Sequence, residues 1–226
     1  MKISFGNSEN TEYRKYAEAV TLDFEKENIH FVLLVGEVGG GKSFFHRHVY
    51  KELINGKTPQ EIRILFLDVP GADSERWDHS PYLYAPVETD PERALRELEA
   101  LAKEIGDRRI SIPGHDPVIV VHIEEDALVD FDRKRLEKCL EEILRNKKTN
   151  RVYIFYSTSR VDHELLADWS KRFVDLLVVF PLKKAEDAKF LLGETDTELR
   201  QPGEHVLLWR GGRVHCFPFS SDTQIL

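Results

Sequence analysis

Short, continuously apolar runs alternate with longer amphipathic segments along most of the chain. Apolar runs of four to eight residues, bounded by polar or turn-forming segments, predict buried strands. The predicted strands are Phe31–Val35, Ile62–Leu67, Val118–Ile123, Val152–Tyr156 and Leu176–Phe180. Two further runs, Glu204–Trp209 and Arg213–Phe217, flank Gly211-Gly212 and predict a C-terminal β-hairpin. The pattern favours an α/β fold, with a mostly parallel sheet covered by helices on both faces.

The segments between the predicted strands place their apolar residues on one face of a helix. Pro91–Ile105 is predicted to be helical, with Asp90 as its N-cap and Pro91 in the first turn. Its apolar face consists of Ala94, Leu95, Leu98, Leu101, Ala102 and Ile105. A second amphipathic helix is predicted over Asp132–Arg145, with a face of Leu136, Cys139, Leu140, Ile143 and Leu144. Ser43–Ile54 is also compatible with a helix.

A glycine-rich stretch follows the first predicted strand and fits the phosphate-binding loop pattern G-x-x-x-x-G-K-[ST]. Glycines allow successive backbone N–H groups to face a phosphate, and the helix behind them adds its positive dipole end. Lys42 is predicted to reach the β- and γ-phosphates of ATP, and Ser43 to bind Mg²⁺. The predicted nucleotide-binding residues are Gly36, Glu37, Val38, Gly39, Gly40, Gly41, Lys42, Ser43 and Phe44. The alternative is a glycine-rich turn with no ligand.

Acidic residues end the predicted strand Val118–Ile123. A nucleotide hydrolase needs one acid to hold hydrated Mg²⁺ and one to orient or deprotonate the attacking water. Glu124 is assigned to the metal and Glu125 to the water, and the alternative is a solvated acidic strand end. Thr158 and Ser159, after the next strand, are candidates for contacting the γ-phosphate or its water. A plain transition from strand to loop explains those two residues equally well.

Composition narrows the class of protein further. The chain has 226 residues, 41% hydrophobic and 32% charged, which suits one globular α/β domain spanning 1–226. No apolar run is long enough to span a bilayer, so neither membrane insertion nor a signal peptide is expected. Cys139 and Cys216 match no metal-binding spacing and are expected to be reduced, in a cytoplasmic protein. The net charge is −8, but 131–151 carries +4, a local positive region in an otherwise acidic chain.

Several of these segments together resemble the motor domain of the FtsK/SpoIIIE DNA translocases, within the FtsK–HerA group of ATPases. The resemblance covers the chain from about Ile3 to Asp222. The segments that carry it are His30–Gly36, Pro59–Asp68, Ser80–Asp90, Asp116–Glu125, Ser157–Arg160 and Gly203–His215. The family has "LPHLL-PVVTD" where this chain has Ser80–Asp90, and "ATQR" where it has Ser157–Arg160. It has the "GDMLFL…RVHG" hairpin where the chain has Gly203–His215.

The resemblance implies a RecA-like P-loop NTPase that binds ATP and Mg²⁺ and hydrolyses ATP in a homo-oligomeric ring, usually a hexamer. Such a ring threads double-stranded DNA through its pore. The resemblance places DNA-facing loops at Val129–Arg135 and Ser159–His163. The DNA-binding candidates there are Arg133, Lys134, Arg135 and Arg160, and His163 is offered by the same loop. A solvated first helical turn is the alternative for Arg133–Arg135.

Some family residues are replaced in this chain. The lysine after the second strand is missing from Asp68-Val69-Pro70, and Ser159 replaces the glutamine of "ATQR". The family arginine before the fifth strand is also missing. Lys171 and Arg172 are the candidates for a cation acting on a neighbouring subunit, and simple surface exposure is the alternative for both.

Three hypotheses about function follow from the sequence. The first is an ATP-dependent translocase of double-stranded DNA, working with a partner protein that supplies targeting. The second is a protein-export ATPase similar to those of type VII secretion, which the acidic net charge and the altered arginine set favour. The third is an ATP-binding scaffold subunit with no coupled turnover. Stimulation of ATP turnover by duplex DNA separates the first hypothesis from the other two.

Overall fold

One mixed β-sheet organises the part of the chain that the structure describes. The computed structural model describes residues 1–8, 19–68, 77–107, 116–124, 126–193, 199 and 201–218, apart from the side chains of residues 107, 126 and 127. The strands are β1 (Lys2–Ser8), β2 (Ala19–Asp23), β3 (Phe31–Val35), β4 (Ile62–Asp68), β5 (Val118–Glu124), β6 (Val152–Thr158), β7 (Leu176–Val179), β8 (His205–Trp209) and β9 (Gly212–Phe217). The helices are α1 (Phe24–Glu27), α2 (Lys42–Ile54), α3 (Pro91–Asp107), α4 (Asp126–Arg145), α5 (Lys147–Asn150), α6 (His163–Arg172) and α7 (Ala185–Leu192).

The strand order is β2-β1-β9-β8-β7-β3-β6-β5-β4. β7, β3, β6, β5 and β4 are parallel neighbours, and β8, β9, β1 and β2 extend this sheet with antiparallel pairs. The predicted α/β fold, with its mostly parallel core and C-terminal hairpin, is confirmed. In such a sheet, the carboxyl ends of the parallel strands lie at one edge, where ligands bind.

Two apolar layers cover the sheet, one on each face. On one face, Leu33, Val121 and Ile154 pack against the apolar sides of α3, α4 and α6. On the other face, Leu34 and Phe155 pack against α2 and α1. The continuously apolar strands of the sequence are therefore buried on both sides, because helices exclude water from both faces.

The N-terminal strands β1 and β2 were not predicted from the sequence. Ile3 and Phe5 of β1 are buried, but the residues between and after them are polar or glycine, so the apolar signal is short. β2 is an edge strand without a buried residue. β1 depends on a partner distant in sequence, because it pairs with β9 through Asn7 with Phe217 and Ser8 with Cys216. β2 in turn pairs with β1 at the edge of the sheet.

The predicted helix after Asp90 is confirmed, and so is its cap. The backbone N–H of Arg93 donates to Asp90 Oδ1 at 2.9 Å. The predicted apolar face of α3 is buried against the sheet. None of the described helices combines the length and apolar character that crossing a bilayer requires.

The predicted loop Val129–Arg135 is wrong, because this segment belongs to α4. The helix is interrupted at Asp132, whose φ of −158° and ψ of 84° are not helical. Asp132 Oδ1 accepts a hydrogen bond from the N–H of Arg135 at 3.1 Å and so caps the helical segment that follows. The predicted start of a helix at Asp132 therefore holds for this second segment, with additional helix before it.

Candidate functional site

The glycine-rich loop lies at the carboxyl edge of the parallel strands, between β3 and α2. Glu37 N donates to Pro181 O at 3.1 Å, and Gly40 N donates to Glu37 O at 3.0 Å. Gly39 and Gly41 have φ values of +82° and +107°, a region that favours glycine. Gly41 occupies the N-cap of α2 and offers no side chain to its first turn. The loop thus combines a tight curl with a helix N-terminus, the arrangement that binds phosphates.

Lys42 is the cation of this loop. Its side chain is buried, and Nζ donates to Gly36 O at 2.5 Å and to Glu37 O at 3.2 Å. Backbone carbonyls therefore hold the ammonium group at the loop, and a cation can form charge-assisted hydrogen bonds with a phosphate. Ser43 and Phe44 follow in the first turn of α2, half-buried and exposed respectively. A cleft of about 240 Å³ lies beside the loop, between 37–40, 181–183 and 201–202.

Three polar residues stand side by side where β4, β5 and β6 end. Glu124 pairs in register with Asp68 on β4 and with Ser157 on β6. Residues paired in parallel register point to the same face, which here is the face that α2 covers. Asp68 and Ser157 are buried, whereas the Glu124 side chain is 24% exposed. The structure thus brings Glu124 to the sheet edge that carries the phosphate loop, and Glu125 lies outside the described residues.

Of the two sensor candidates, Thr158 is the last residue of β6 and Ser159 follows it. Thr158 Oγ1 accepts from Arg160 N at 2.9 Å and donates to Arg160 O at 3.0 Å, so it closes a local turn. Ser157 was not among the predicted site residues, yet its side chain points to the face of the sheet that α2 covers. Its Oγ is buried and has no hydrogen-bond partner among the described residues. Strand alternation from Phe155, a core position, is the signal that would have identified it.

The basic residues of α4 differ in how firmly other side chains hold them. Arg135 donates to Glu99 from Nε at 2.8 Å and from Nη2 at 3.1 Å, and to Glu92 from Nη1 at 2.8 Å. These contacts tie α4 to α3 and raise the pKa of Arg135. Arg133 pairs with Glu137 at 2.6 Å, whereas Lys134 is exposed.

Arg160 occupies the loop between β6 and α6, as predicted. It pairs with Asp130 at 3.1 Å, and both side chains are well exposed, at 46% and 66%. Arg160, Asp130 and Glu37 of the phosphate loop line one cleft of about 480 Å³. His163, which was predicted to lie in this loop, is instead the first residue of α6, and its Nε2 lies 2.8 Å from Asp187 Oδ1.

Lys171 and Arg172 lie in the last turn of α6, just before β7 begins. Because α6 runs back from the carboxyl edge of the sheet, both residues lie at the opposite edge from the phosphate loop. Arg172 is held by carboxylates of its own chain, with contacts of 2.5–3.0 Å to Asp168, Glu137 and Glu141. A role for either residue on a neighbouring subunit stays a prediction.

Buried imidazoles surround α2, and the sequence did not single them out. His205 packs against Phe45 and Phe180, with ring centroids 5.3 and 5.1 Å away. Burial lowers the pKa of His205 from 6.5 to about 4, and its hydrogen bond to Gly203 O opposes that shift. His46, one turn after Lys42, is also buried, and burial lowers its pKa well below the ordinary value.

The His205 pKa makes stability depend on pH. As pH falls below about 6.5, the unfolded chain takes up a proton that folded His205 does not, so stability decreases until about pH 4. A shift of this size corresponds to about 3 kcal/mol. We expect His205→Phe, which keeps an aromatic ring in the cluster, to flatten this part of the pH profile. Urea unfolding at several pH values gives the free energy of unfolding as a function of pH. The prediction is contradicted if this free energy changes with pH equally in wild type and His205→Phe.

Comparison with known families agrees with this arrangement. A family model described as the FtsK/SpoIIIE family matches residues 4–208. The chain is 24% identical to "DNA translocase FtsK" of Mesorhizobium japonicum, over 92% of this chain and 29% of that protein. It is 23% identical to the protein of the same name from Leptospira interrogans, over 84% of this chain and 22% of that protein. The chain thus spans less than a third of the length of these relatives.

Solved structures share the fold at low sequence identity. The cytoplasmic domain of the type VII secretion ATPase EccC from Thermomonospora curvata has a TM-score of 0.80 at 16% identity, over the whole of this chain and 29% of that one. The pCW3 conjugation coupling protein TcpA, solved with ATPγS, has a TM-score of 0.75 at 15% identity, over the whole of this chain and 68% of that one. At these identities the likeness establishes the P-loop ATPase fold.

Proposed function

The chain belongs to the FtsK/SpoIIIE family, and from this membership we propose that it is an ATP-driven motor that moves double-stranded DNA. The relatives that it matches over most of its length are named DNA translocases. In this proposal, identical subunits assemble into a ring, a hexamer by analogy with the family, and hydrolyse ATP. A separate protein supplies targeting.

The nucleotide chemistry is assigned to the edge that carries the phosphate loop. Residues 36–44 bind the phosphates, with the backbone N–H groups of the loop and the first turn of α2 as donors. Carboxylate and hydroxyl oxygens suit Mg²⁺, and Ser43 and Glu124 would hold it. The bound ion would neutralise negative charge on the phosphates. Glu125 is assigned to the attacking water. Ser157, beside Glu124 and on the same face, is placed to contact that water or the γ-phosphate, and is a better candidate than Thr158.

The observation that carries the proposal is a short path from the phosphate loop to Arg160. Gly36 N donates to Thr158 O at 3.2 Å, and the Thr158 hydroxyl is hydrogen bonded to the backbone of Arg160. A movement of the loop upon nucleotide hydrolysis would therefore reach Arg160 through two contacts. Such a path of direct contacts is one route by which ATP turnover can be coupled to a DNA-facing loop.

Arg160 and Lys134 are the residues that we assign to the DNA phosphates. An exposed ion pair such as Arg160–Asp130 contributes little to stability, so Arg160 can exchange Asp130 for a phosphate at small cost. Lys134 is exposed on α4. Arg135 is assigned a structural role, because its guanidinium already spans two carboxylates of α3. Phosphate contacts of this kind grip DNA without reading its sequence.

Arg160→Ala is expected to weaken the binding of duplex DNA and its stimulation of ATP turnover. The logarithm of the DNA-binding constant falls as the logarithm of salt concentration rises. Loss of one phosphate contact should make this negative slope shallower by about 0.9. The matched control is Arg210→Ala, since Arg210 is 59% exposed and pairs with Glu27 at 3.0 Å on the opposite edge of the sheet. The measurement is DNA affinity and ATP turnover over a salt series, with long linear duplex DNA. Equal effects of the two substitutions would contradict the assignment of Arg160.

ATP turnover itself decides between the proposed function and its alternatives. We expect duplex DNA to stimulate turnover, and high salt or Glu125→Gln to abolish the stimulation. Turnover that ignores DNA but responds to a polypeptide substrate would favour the protein-export ATPase, for which the net charge of −8 is the supporting observation. ATP binding with turnover that Glu125→Gln does not change would favour the scaffold subunit.

A further inference from the structure

Behind the phosphate loop, α2 and β5 bring two imidazoles and a carboxylate together. His46 lies four residues after Lys42 and therefore one helical turn further along the same face of α2. His122 and Glu124 alternate along β5 and face α2 from the sheet. Ligand atoms of His46, His122 and Glu124 all lie within 4.8 Å of one another, and His122 Nε2 is 3.8 Å from Glu124 Oε2.

His46 is unusual for a core residue. It is 1% exposed, and neither ring nitrogen has a hydrogen-bond partner among the described residues. Buried polar atoms in folded proteins are almost always hydrogen bonded, so an imidazole left in this state calls for an explanation. Its ring meets that of His122 edge-on, with the centroids 4.5 Å apart. One more ligand between these two rings and Glu124 would satisfy a nitrogen of His46.

We propose that His46, His122 and Glu124 form a site for a divalent first-row transition metal such as Zn²⁺. Imidazole nitrogens favour such ions, whereas Mg²⁺ and Ca²⁺ prefer sites made of oxygen atoms. Zinc sites with three protein ligands leave a fourth position for water. With bonds of about 2.1 Å, ligand atoms of a tetrahedral site are about 3.4 Å apart. Movements of less than about 1 Å per side chain would therefore close the site.

Tyr50 supports this arrangement from the next turn of α2. Its hydroxyl lies 2.6 Å from Nδ1 of His122, and the contact fixes the orientation of that ring. Histidines that bind metal through one nitrogen commonly use the other in such a hydrogen bond, which sets the tautomer. Nε2 of His122 is thereby directed towards Glu124 and His46. Glu124 is also assigned to Mg²⁺, so the proposed site adjoins the nucleotide site and shares this carboxylate with it.

The test is metal binding by the full chain in the absence of nucleotide and DNA. We expect one Co²⁺ per chain with visible d–d absorption, displaced by one Zn²⁺ and unaffected by excess Mg²⁺. His46→Leu and His122→Gln should each weaken Zn²⁺ binding at least about 100-fold, and Tyr50→Phe about tenfold. His30→Gln is the matched control, because His30 is also buried but lies at the opposite edge of the sheet, and it should bind like wild type.

The site is overturned if no Co²⁺ or Zn²⁺ binds at one per chain. It is also overturned if the variants at positions 46 and 122 are folded and bind Zn²⁺ as tightly as wild type. Circular dichroism of each variant reports on folding. If a core variant fails to fold, Glu124→Gln replaces it, because that side chain is partly exposed, and it should weaken Zn²⁺ binding to a similar extent. Since no nucleotide is present, a negative result leaves the proposed ATPase function untouched.

Discussion

Lys42→Ala is expected to lower kcat/KM for ATP hydrolysis by about 10²–10³-fold, the usual effect of removing one group that stabilises charge in a transition state. Lys42 is the cation that the structure holds inside the phosphate loop, with Nζ fixed by the carbonyls of Gly36 and Glu37. Lys183 lines the same cleft, but its Nζ is bonded to the Glu37 carboxylate at 3.2 Å rather than to these carbonyls. Turnover with saturating ATP and Mg²⁺ measures the effect.

Lys51→Ala is the matched control for Lys42→Ala. Lys51 is on the same helix, exposed and in its last turn, so its removal tests only the loss of a positive charge from α2. We expect turnover of this variant to stay near that of wild type. Urea unfolding of both variants separates lost catalysis from lost folding. A turnover of Lys42→Ala within a few-fold of the control would contradict the role of Lys42 and the proposed ATPase with it.

Gly41→Ala is expected to destabilise the protein by about 3 kcal/mol or more and to abolish ATP binding. A φ of +107° strains an alanine by about 1–3 kcal/mol. In addition, its Cβ would lie 2.3 Å from the backbone nitrogen of Gly203 and 2.6 Å from its Cα. The turn at 202–203 would have to move, and the hydrogen bond from Gly203 N to Gly40 O, 2.8 Å long, would be lost.

Gly39→Ala separates strain from crowding. Gly39 also has a positive φ, of +82°, but no described atom lies within 4 Å of the position that a Cβ would take. We expect Gly39→Ala to cost only the strain of a left-handed alanine, about 1–2 kcal/mol. Urea unfolding gives both values, and titration with a fluorescent ATP analogue gives the affinities. If the two substitutions lower the free energy of unfolding equally, the contact between the new Cβ at position 41 and Gly203 does not contribute to the destabilisation.

Much of the α/β framework follows from local sequence patterns. Buried parallel strands read as continuous apolar runs, because helices cover both faces, and the phosphate loop has a fixed spacing. The structure therefore confirms β3–β9 within one or two residues at each end, and the N-cap at Asp90. The two N-terminal strands were missed because β1 owes its place to β9, which is distant in sequence, and β2 pairs with β1.

The site was only partly accessible from sequence, for the same reason. The loop residues and Glu124 could be predicted, since each belongs to a local motif at a strand end. Strand alternation would also have pointed to Ser157. His46 could not be predicted, because its significance depends on the residues that face it from the sheet. Whether an arginine is held by ion pairs is also decided by the tertiary structure. Arg135 is bonded to two carboxylates of α3, whereas Arg160 forms one exposed ion pair with Asp130.

The sequence by itself therefore determined the fold class, the phosphate loop and the family resemblance, because these depend on short-range periodicity and on fixed motif spacing. Only the tertiary structure decided which side chains meet. It extended the helix predicted from Asp132 back over 129–131, which the family resemblance had assigned to a loop, and set Gly203, just before β8, against Gly41 of the phosphate loop. It also gathered His46, His122 and Glu124 behind that loop. Contacts between residues far apart in the chain are set by packing and strand register, which no local pattern encodes.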